Sequence, residues 1–348
     1  MSKLVESLQL NKILDVPELK ELLSTYAYDQ ELFDSALKIR EKYYGRKIFI
    51  RGLIEISNFC KNDCYYCGIR CSNKQAKRFR LDVDDVLNCC QQGYPLGFRT
   101  FVLQGGEDPQ WDDKKVCQVV DAIKTEYPDC AVTLSLGEKS RDSYQAYFDA
   151  GADRYLLRHE TANEDHYRHL HPANMSLEVR KQCLWDLKEI GYAVGSGIMV
   201  GSPEQSLDNI IEDISFLQEL NPDMIGIGPY LRHKDTPFRD CKDGDLDLTL
   251  RLLALFRHMF PQVLLPSTTA LGTIHPKGRE MGILAGANVV MPNISPEDAA
   301  ANYQLYDNIK HTGAESGSGL NDLKARMAAI GFEIVQDRGD KANVQSED

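Results

Sequence analysis

The most constraining feature of this sequence is a regular alternation of short apolar or β-branched runs with amphipathic helical stretches. Such a rhythm is typical of successive β-α units that build a parallel sheet. Eight repeats in a chain of 348 residues predict an α/β fold of the (β/α)8 TIM-type barrel, with an open doubly wound sheet as the alternative. The eight candidate strands are Ile48–Ile56, Thr100–Gln104, Ala131–Leu136, Arg154–Arg158, Val194–Val200, Met224–Pro229, Val263–Pro266 and Asn288–Met291.

Helical segments are predicted in the intervals between these strands. Asp82 and Ser206 fit the N-cap position, and each precedes a stretch with apolar residues on one face. Another helix is predicted over Leu177–Ile190, where Gly191 is a favoured residue just past a helix end. A further helix is predicted over Leu246–Phe260.

The rhythm also suggests how the chain is divided. Residues 1–45 predict an N-terminal helical extension of two or three helices, and residues 46–310 the barrel. Residues 311–348 predict a C-terminal helical segment with a polar tail. Within that tail, the stretch Gln336–Asp348 is polar enough that we expect it to fray.

The charge balance excludes several classes of partner. The formal net charge is −12, so we expect neither nucleic acid nor an anionic membrane surface to be the main partner. No apolar run approaches the roughly 20 residues that span a bilayer. The first residues form an acidic amphipathic stretch without the apolar core of a signal peptide, so we expect a cytoplasmic protein.

Three of the ten cysteines, Cys60, Cys64 and Cys67, lie within eight residues directly after the first predicted strand. Such a cluster favours metal binding over a disulfide framework. A structural zinc site needs four ligands, usually as two C-x2-C-like pairs, and a second pair is missing from the sequence. Three thiolates can instead hold three irons of a cubane cluster and leave the fourth iron open. Zinc, a purely structural cluster and a cluster with Cys71 as its fourth ligand are the alternatives.

The stretch SNFCKNDCYYCGIRC, with its C-x3-C-x2-C spacing after a strand, resembles the signature of the radical S-adenosylmethionine (SAM) superfamily. The resemblance implies a 4Fe-4S cluster whose open iron binds SAM and whose electron cleaves it to methionine and a 5′-deoxyadenosyl radical. Tyr66 matches the aromatic position that lies against adenine in this superfamily.

Further motifs narrow the resemblance to one family. LQGGEDP, TLSLGE, ADRYLLRHETAN, GIGPY, PSTTALGTIHPKGRE and AGANVVMPN follow one another at the ends of successive predicted strands. From about Ile48 to Tyr306 the set resembles HydE, the E-type maturase of FeFe-hydrogenase. In some members of that family three cysteines near the C-terminus hold a second cluster. The corresponding stretch here, DNIKHTGAESGSGLNDL, contains no cysteine, so we expect no second cluster.

The resemblance also assigns residues to SAM. Gly105 and Gly106 would permit close approach of the backbone to the ligand, and Glu107 would accept hydrogen bonds from its ammonium group. Glu160 suits the ribose hydroxyls or the amino group, and Arg180 suits the carboxylate. The full implied set is Tyr66, Gly105, Gly106, Glu107, Ser135, Glu160 and Arg180.

A second group is expected to face the barrel interior near the other substrate. Guanidinium and hydroxyl groups together suit an anion or an amino-acid carboxylate. Interior ion pairs and strand-end caps are the competing interpretation for each residue. The group consists of Arg154, Arg158, Thr268, Thr269 and Tyr303.

Four histidines between the fourth strand and the next helix invite a metal hypothesis. Their spacing does not supply a compact site supported by carboxylates, so we interpret them as packed or solvated side chains. They are His159, His166, His169 and His171.

The function implied by the resemblance is radical SAM chemistry in maturation of the hydrogenase diiron subcluster. The expected substrate is an iron-carbonyl-cyanide-cysteine species made by a partner maturase, and an electron donor is also expected. A radical mutase of the methylornithine synthase type has the same chemistry on another substrate, and biotin synthase is a more distant comparison. An electron-transfer iron-sulfur protein that uses Cys71 as a fourth ligand is the alternative from another class.

Overall fold

Parallel strands close into a barrel in this structure, a computed structural model that describes residues 2–309 and 316–342. The strands are β1 (Lys47–Ile50), β2 (Gly52–Ser57), β3 (Thr100–Gly105), β4 (Ala131–Ser135), β5 (Arg154–Leu156), β6 (Ala193–Ser196), β7 (Met199–Val200), β8 (Met224–Ile225), β9 (Gly228–Pro229), β10 (Val289–Val290) and β11 (Glu333–Val335). The helices before β3 are α1 (Lys3–Asn11), α2 (Val16–Ser24), α3 (Asp29–Tyr44) and α4 (Val83–Gly93). The remaining helices are α5 (Asp113–Glu126), α6 (Arg141–Asp149), α7 (Glu164–Leu170), α8 (Leu177–Ile190), α9 (Leu207–Leu220), α10 (Leu246–Met259), α11 (Thr269–Ile274), α12 (Gly278–Leu284), α13 (Glu297–Asn302) and α14 (Leu320–Ala329).

The strand pairing closes on itself, which separates a barrel from an open sheet. Six strands form one parallel sheet in the order β2-β3-β4-β5-β6-β8. From β8, Met224 bridges to Leu264, and Pro266 bridges to Val289 of β10. Strand β10 pairs with β1, which continues through Arg51 into β2. The prediction of a (β/α)8 barrel is confirmed, and the doubly wound alternative is wrong because that sheet would leave two open edges.

Several predicted strands are shorter than expected or are interrupted. The first prediction, Ile48–Ile56, is divided at Arg51 into β1 and β2. The fifth is divided at Gly197, where a Cβ atom would lie 2.0 Å from the carbonyl oxygen of Gly226. The backbone segments at Gly197 and Gly226 approach each other closely here, and the regular strand pairing is interrupted. The seventh prediction, Val263–Pro266, is present only as isolated parallel bridges.

The predicted helix boundaries agree closely with the structure. Asp82 caps α4 with a capping box, and Ser206 caps α9 in the same way. Helix α8 covers Leu177–Ile190 as predicted, with Gly191 in the left-handed conformation after it. The N-terminal helices pack on the barrel wall, where the carboxylate of Asp29 on α3 pairs with Arg251 of α10 at 2.6 Å. None of the helices in the described ranges is long and apolar enough to cross a membrane.

The C-terminal residues differ from the prediction. Strand β11 adds to β1 in parallel, and the chain then crosses the end of the barrel where the strands begin. The carboxylate of Asp340 pairs with Arg154 at 2.5 Å, and Lys341 pairs with Asp223 at 3.1 Å. The expectation that Gln336–Asp348 frays is therefore wrong as far as residue 342. Residues 343–348 and the proposed domain boundary at residue 310 lie outside the described residues.

Candidate active site

A cavity of about 370 Å³ opens at the end of the barrel where the strands terminate. This end is where the βα loops of a (β/α)8 barrel converge and where such enzymes place their active sites. Every residue that the sequence assigned to the site lines it, with the single exception of Arg154. The assigned lining residues are Cys60, Cys64, Tyr66, Cys67, Gly105, Gly106, Glu107, Ser135, Arg158, Glu160, Arg180, Thr268, Thr269 and Tyr303.

The cysteine loop between β2 and α4 is anchored by hydrogen bonds to three other parts of the chain. The backbone N–H of Lys61 donates to the carbonyl oxygen of Glu107 at 2.9 Å. The N–H of Tyr65 donates to Leu170 at 3.0 Å, and the N–H of Gly68 donates to Leu305 at 2.9 Å. These bonds hold the loop over the cavity through protein contacts alone.

Cys60, Cys64 and Cys67 are free thiols that share the cavity wall. Burial raises the pKa of the Cys67 thiol to about 12 and also raises that of Cys60. The thiolate, which is the form that binds metals, is therefore favoured at these positions only together with positive charge. Iron supplies such charge, so the donor set fits an iron-sulfur cluster. Cys71 is exposed and does not line the cavity.

Gly106 is required by the packing of the cysteine loop. A Cβ atom at this position would lie 2.2 Å from the carbonyl oxygen of Phe59 and 2.8 Å from Cβ of Cys60. The sequence interpretation attributed this glycine to close approach of a ligand. The structure adds a second role, because this glycine also lets the first cysteine pack beside the end of β3.

Glu107 presents a fixed carboxylate to the cavity. Its Oε1 accepts a hydrogen bond from the backbone N–H of Glu138 at 2.9 Å, and its Oε2 lies 3.0 Å from Nζ of Lys61. Gly137 has a φ of +73°, and a Cβ atom there would lie 2.1 Å from Cγ of Glu107. A carboxylate has room for about four hydrogen bonds, so it can accept others from a ligand.

Glu160 is held in a strained conformation at the cavity. Its φ is +66°, a left-handed value that is rare for residues other than glycine and costs about 1–3 kcal/mol. Its N–H donates to the carbonyl oxygen of Gly197 at 3.1 Å, and its Oε2 accepts from Nη2 of Arg158 at 2.8 Å. Such strain persists only where the surroundings hold the backbone, and it is typical of functional sites.

A buried polar network lies directly behind Glu160. Nδ1 of His159 is 2.9 Å from the hydroxyl of Ser196, and its Nε2 is 3.4 Å from Oδ1 of Asp213. The same carboxylate of Asp213 accepts a hydrogen bond from the backbone N–H of Ala162. The network therefore fixes the chain on both sides of Glu160.

The other three histidines contact different partners. His166 bonds the carbonyl oxygen of Pro203, and His169 stacks on Phe238. His171 bonds the hydroxyl of Tyr66. In the ranges 2–309 and 316–342, no three His, Cys, Asp or Glu side chains are grouped closely enough for a single metal ion.

Arg180 reaches the cavity from α8. Its Nε donates to Oε1 of Glu138 at 2.5 Å, and its Nη1 donates to the carbonyl oxygen of Arg158 at 2.9 Å. The side chain is only 7% exposed, so its guanidinium plane is held in one orientation. Sequence reasoning missed Glu138 as its partner, although this residue ends the TLSLGE motif.

The opposite wall carries hydroxyl, amide and carboxyl groups. The Oγ1 atom of Thr268 is buried and has no hydrogen-bond partner among the described residues. Tyr303 is 3% exposed and lines the cavity together with Gln104. Glu55 and Asn293 also line this wall and were not assigned from the sequence. A glutamate inside the apolar run LIEIS is the signal that could have identified Glu55.

Arg154 does not belong to this cavity. It is the first residue of β5, so it lies at the opposite end of the barrel. Its guanidinium donates to Thr100 Oγ1 at 3.0 Å, to the carbonyl oxygen of Arg338 at 2.9 Å and to Asp340 at 2.5 Å. Its assignment to the substrate pocket is wrong, and the competing interpretation of an interior ion pair is correct.

The barrel, the thiol triplet after its first strand and the charged groups beside it define a radical SAM enzyme. A family model of the Radical SAM superfamily matches residues 54–217. The [FeFe] hydrogenase maturase subunit HydE of Thermotoga maritima is 46% identical over 290 residues, which cover 83% of this chain and 82% of that protein. This chain therefore belongs to the HydE family, as the motifs indicated.

Two further similarities concern an enzyme with another substrate. The 3-methylornithine synthase of Methanosarcina barkeri is 28% identical over 309 residues, covering 88% of this chain and 85% of that one. The crystal structure of methylornithine synthase (PylB) superimposes with a TM-score of 0.84 at 25% identity, covering 96% of this chain and 97% of that one. The barrel is thus shared with methylornithine synthase.

Proposed function

We propose that this protein reductively cleaves SAM at a 4Fe-4S cluster and acts in maturation of the diiron subcluster of [FeFe] hydrogenase. The observation that carries this proposal is the shared cavity, where three free thiols face Glu160 and Arg180. The 46% identity to HydE supports the assignment to hydrogenase maturation.

Cys60, Cys64 and Cys67 would hold the cluster. When bound, the cluster supplies the electron that breaks the sulfonium bond of SAM and yields the 5′-deoxyadenosyl radical. The exposed position of Cys71 outside the cavity supports three protein ligands rather than four. An open iron distinguishes this arrangement from a fully ligated electron-transfer cluster.

Seven residues are suited to bind and orient SAM. The carboxylate of Glu107, already fixed by Glu138 and Lys61, can accept hydrogen bonds from the ammonium group. The guanidinium of Arg180 suits the carboxylate of SAM, and the face of Tyr66 suits adenine. Gly105, Gly106, Ser135 and Glu160 complete the proposed set, with Glu160 suited to the ribose hydroxyls.

The second substrate in this proposal is an iron-carbonyl-cyanide-cysteine species made by a partner maturase. Arg158 can pair with the cysteine carboxylate, and the hydroxyls of Thr268, Thr269 and Tyr303 can donate hydrogen bonds. Because the cavity lies within the barrel, the walls keep water away from a reactive radical. An electron donor protein and the other hydrogenase maturases are the proposed partners.

The methylornithine synthase reaction is the alternative on the same scaffold. Its enzymes share 28% identity with this chain against 46% for HydE, over similar lengths. The difference in identity favours hydrogenase maturation over lysine rearrangement.

Anaerobically reconstituted protein provides the first test. After reduction it should convert SAM to methionine and 5′-deoxyadenosine, and the cluster spectrum should change when SAM is added. The second test replaces the HydE gene of a hydrogenase-producing host with this gene. Restored hydrogenase activity is expected, and its absence despite SAM cleavage in vitro would contradict the role in maturation.

A further inference from the structure

Glu55 lies in a layer of polar residues that crosses the interior of the barrel. Along the paired strands, Glu55 of β2 is in register with Gln104 of β3, and Gln104 is in register with Ser135 of β4. Residues in register on neighbouring strands face the same side of a sheet. All three line the cavity, so this layer forms part of its inner wall.

The carboxyl group of Glu55 is buried without a cationic partner among the described residues. Its side chain is held by a hydrogen bond from Nδ2 of Asn293 to its Oε2 at 2.7 Å, and its backbone N–H donates to Ser295 Oγ at 2.8 Å. The residue is 5% exposed, and that exposed surface faces the cavity. A buried carboxylate without a cation costs far more free energy than the neutral acid does.

Burial raises the pKa of the Glu55 carboxyl to about 8, and the hydrogen bond from Asn293 acts in the opposite direction. The group is therefore mainly a neutral acid at pH 7. A protonated carboxyl has one O–H donor, which an ionised carboxylate lacks. The cavity thus contains a neutral donor on the wall that also carries Tyr303.

Glu55 and the side chains around it differ in charge from the two arginines proposed to bind carboxylates. Arg158 and Arg180 carry positive charge and suit carboxylates, whereas Glu55, Gln104 and Asn293 are neutral polar groups on this wall. The proposed substrate carries both kinds of acceptor, because its cysteine has a carboxylate and its cyanide has an uncharged nitrogen lone pair. A neutral donor matches the second kind.

We propose that Glu55 is a substrate-binding residue, which as a neutral acid donates a hydrogen bond to the cyanide nitrogen of the iron complex. This inference rests on the function proposed above and adds a residue and a recognised group to it. Asn293 positions the Glu55 side chain by occupying its other oxygen. The bond fixes the orientation of the iron complex relative to the bound SAM.

The test uses reconstituted holoenzyme with SAM and a synthetic iron(II) carbonyl-cyanide-cysteine complex as the probe. Glu55→Gln keeps a neutral donor of similar shape, and Glu55→Leu removes the donor. Glu333→Gln, on the exposed side of β11 at the other end of the barrel, is the matched control. Binding is measured by titration, and infrared spectra record the cyanide and carbonyl stretches of the bound complex.

We expect Glu55→Leu to raise the Kd for the complex about 10- to 100-fold, because a buried hydrogen bond to the complex is lost. Its cyanide stretch should move toward that of the free complex, and the carbonyl stretches should stay in place. Glu55→Gln should bind within about threefold of wild type, with a shifted cyanide stretch because an amide is a weaker donor than an acid. SAM cleavage without the complex should be unchanged in the control variant Glu333→Gln.

An unchanged Kd and an unchanged cyanide stretch in Glu55→Leu would overturn the inference. If Glu55→Gln loses as much affinity for the complex as Glu55→Leu does, the inference is overturned as well, because binding would then require a charged carboxylate. If Glu55→Leu fails to fold, the cyanide stretch of Glu55→Gln decides alone, and no shift contradicts the inference. Wild-type protein that cleaves SAM yet does not bind the complex would refute the proposed substrate, which is a distinct result.

Discussion

The phenol oxygen of Tyr66 lies 3.2 Å from Nε2 of His171, whose Nδ1 lies 3.0 Å from the carbonyl oxygen of Tyr167. A carbonyl oxygen only accepts hydrogen bonds, so Nδ1 carries the proton and Nε2 accepts from Tyr66. Burial lowers the pKa of His171 to about 3, and nearby Arg180 acts in the same direction. The imidazole is therefore neutral at physiological pH. It holds the Tyr66 side chain in place through this hydrogen bond and an edge-to-face ring contact.

Replacement of His171 should weaken SAM binding without removing a SAM ligand. His171→Ala removes one hydrogen bond and an edge-to-face ring contact from Tyr66, together worth about 1–2 kcal/mol. We expect the Kd for SAM, measured by equilibrium dialysis on reconstituted protein, to rise about 5- to 30-fold. His169→Ala is the control, since His169 stacks on Phe238 instead. Equal affinities of the His171 variant and wild type would contradict this role.

Cysteine replacements should separate the cluster ligands from their neighbour. Cys64→Ala should abolish SAM cleavage and lower the iron content, because only two of the proposed ligands remain. Cys71→Ala should keep both, because Cys71 is exposed and outside the cavity. Iron analysis and 5′-deoxyadenosine assays after anaerobic reconstitution provide the measurement. A Cys71 variant without a cluster would indicate four protein ligands and exclude the proposed chemistry.

Sequence reasoning succeeded where the signal is local. Asp82, Ser206 and Gly191 mark helix ends through interactions within a few residues, so their positions were predicted directly. The spacing of the cysteines is local in the same sense. Strand β11 was missed because its three residues are half-exposed or exposed and pair with β1, which is far away along the chain.

Arg154 and Glu55 show the same limit of local sequence signals. Arg154 and Arg158 are four residues apart in one predicted strand, and the sequence does not indicate that β5 ends between them. The tail that covers Arg154 is almost 190 residues further along the chain. The environment of Glu55 depends on Asn293, 238 residues away. These relationships require the closed barrel, which no short segment encodes.

The two arginines should therefore respond differently to the same substitution. Arg154→Met should lower the free energy of unfolding by about 1–3 kcal/mol, because Thr100 Oγ1 loses a buried donor and Asp340 loses its ion-pair partner. Its kinetics for the second substrate should match wild type. Arg158→Met should leave stability nearly unchanged and raise KM for that substrate. Thermal unfolding and turnover assays compare the two variants. A raised KM in Arg154→Met would show that Arg154 takes part in substrate binding.

His258 gives the fold a dependence on pH that is separate from the active site. It lies 1% exposed between α10 and α3, with Nε2 2.8 Å from the hydroxyl of Ser35. Burial lowers the pKa of His258 to about 4, whereas a histidine in the unfolded chain has a pKa of about 6.5. Between these values the unfolded chain binds a proton that the folded chain does not. Stability therefore falls as the pH is lowered from about 6.5 towards 4.

From pH 7 to pH 5 this single group should remove about 2 kcal/mol from the free energy of unfolding. His258→Gln does not titrate, so its stability should fall less over the same interval, although it starts lower at pH 7 from lost packing. Denaturant unfolding of both proteins at about pH 7 and pH 5 measures the difference. His275→Gln, at a partly exposed histidine, is the control. Parallel losses in His258→Gln and wild type would show that His258 is charged in the folded protein.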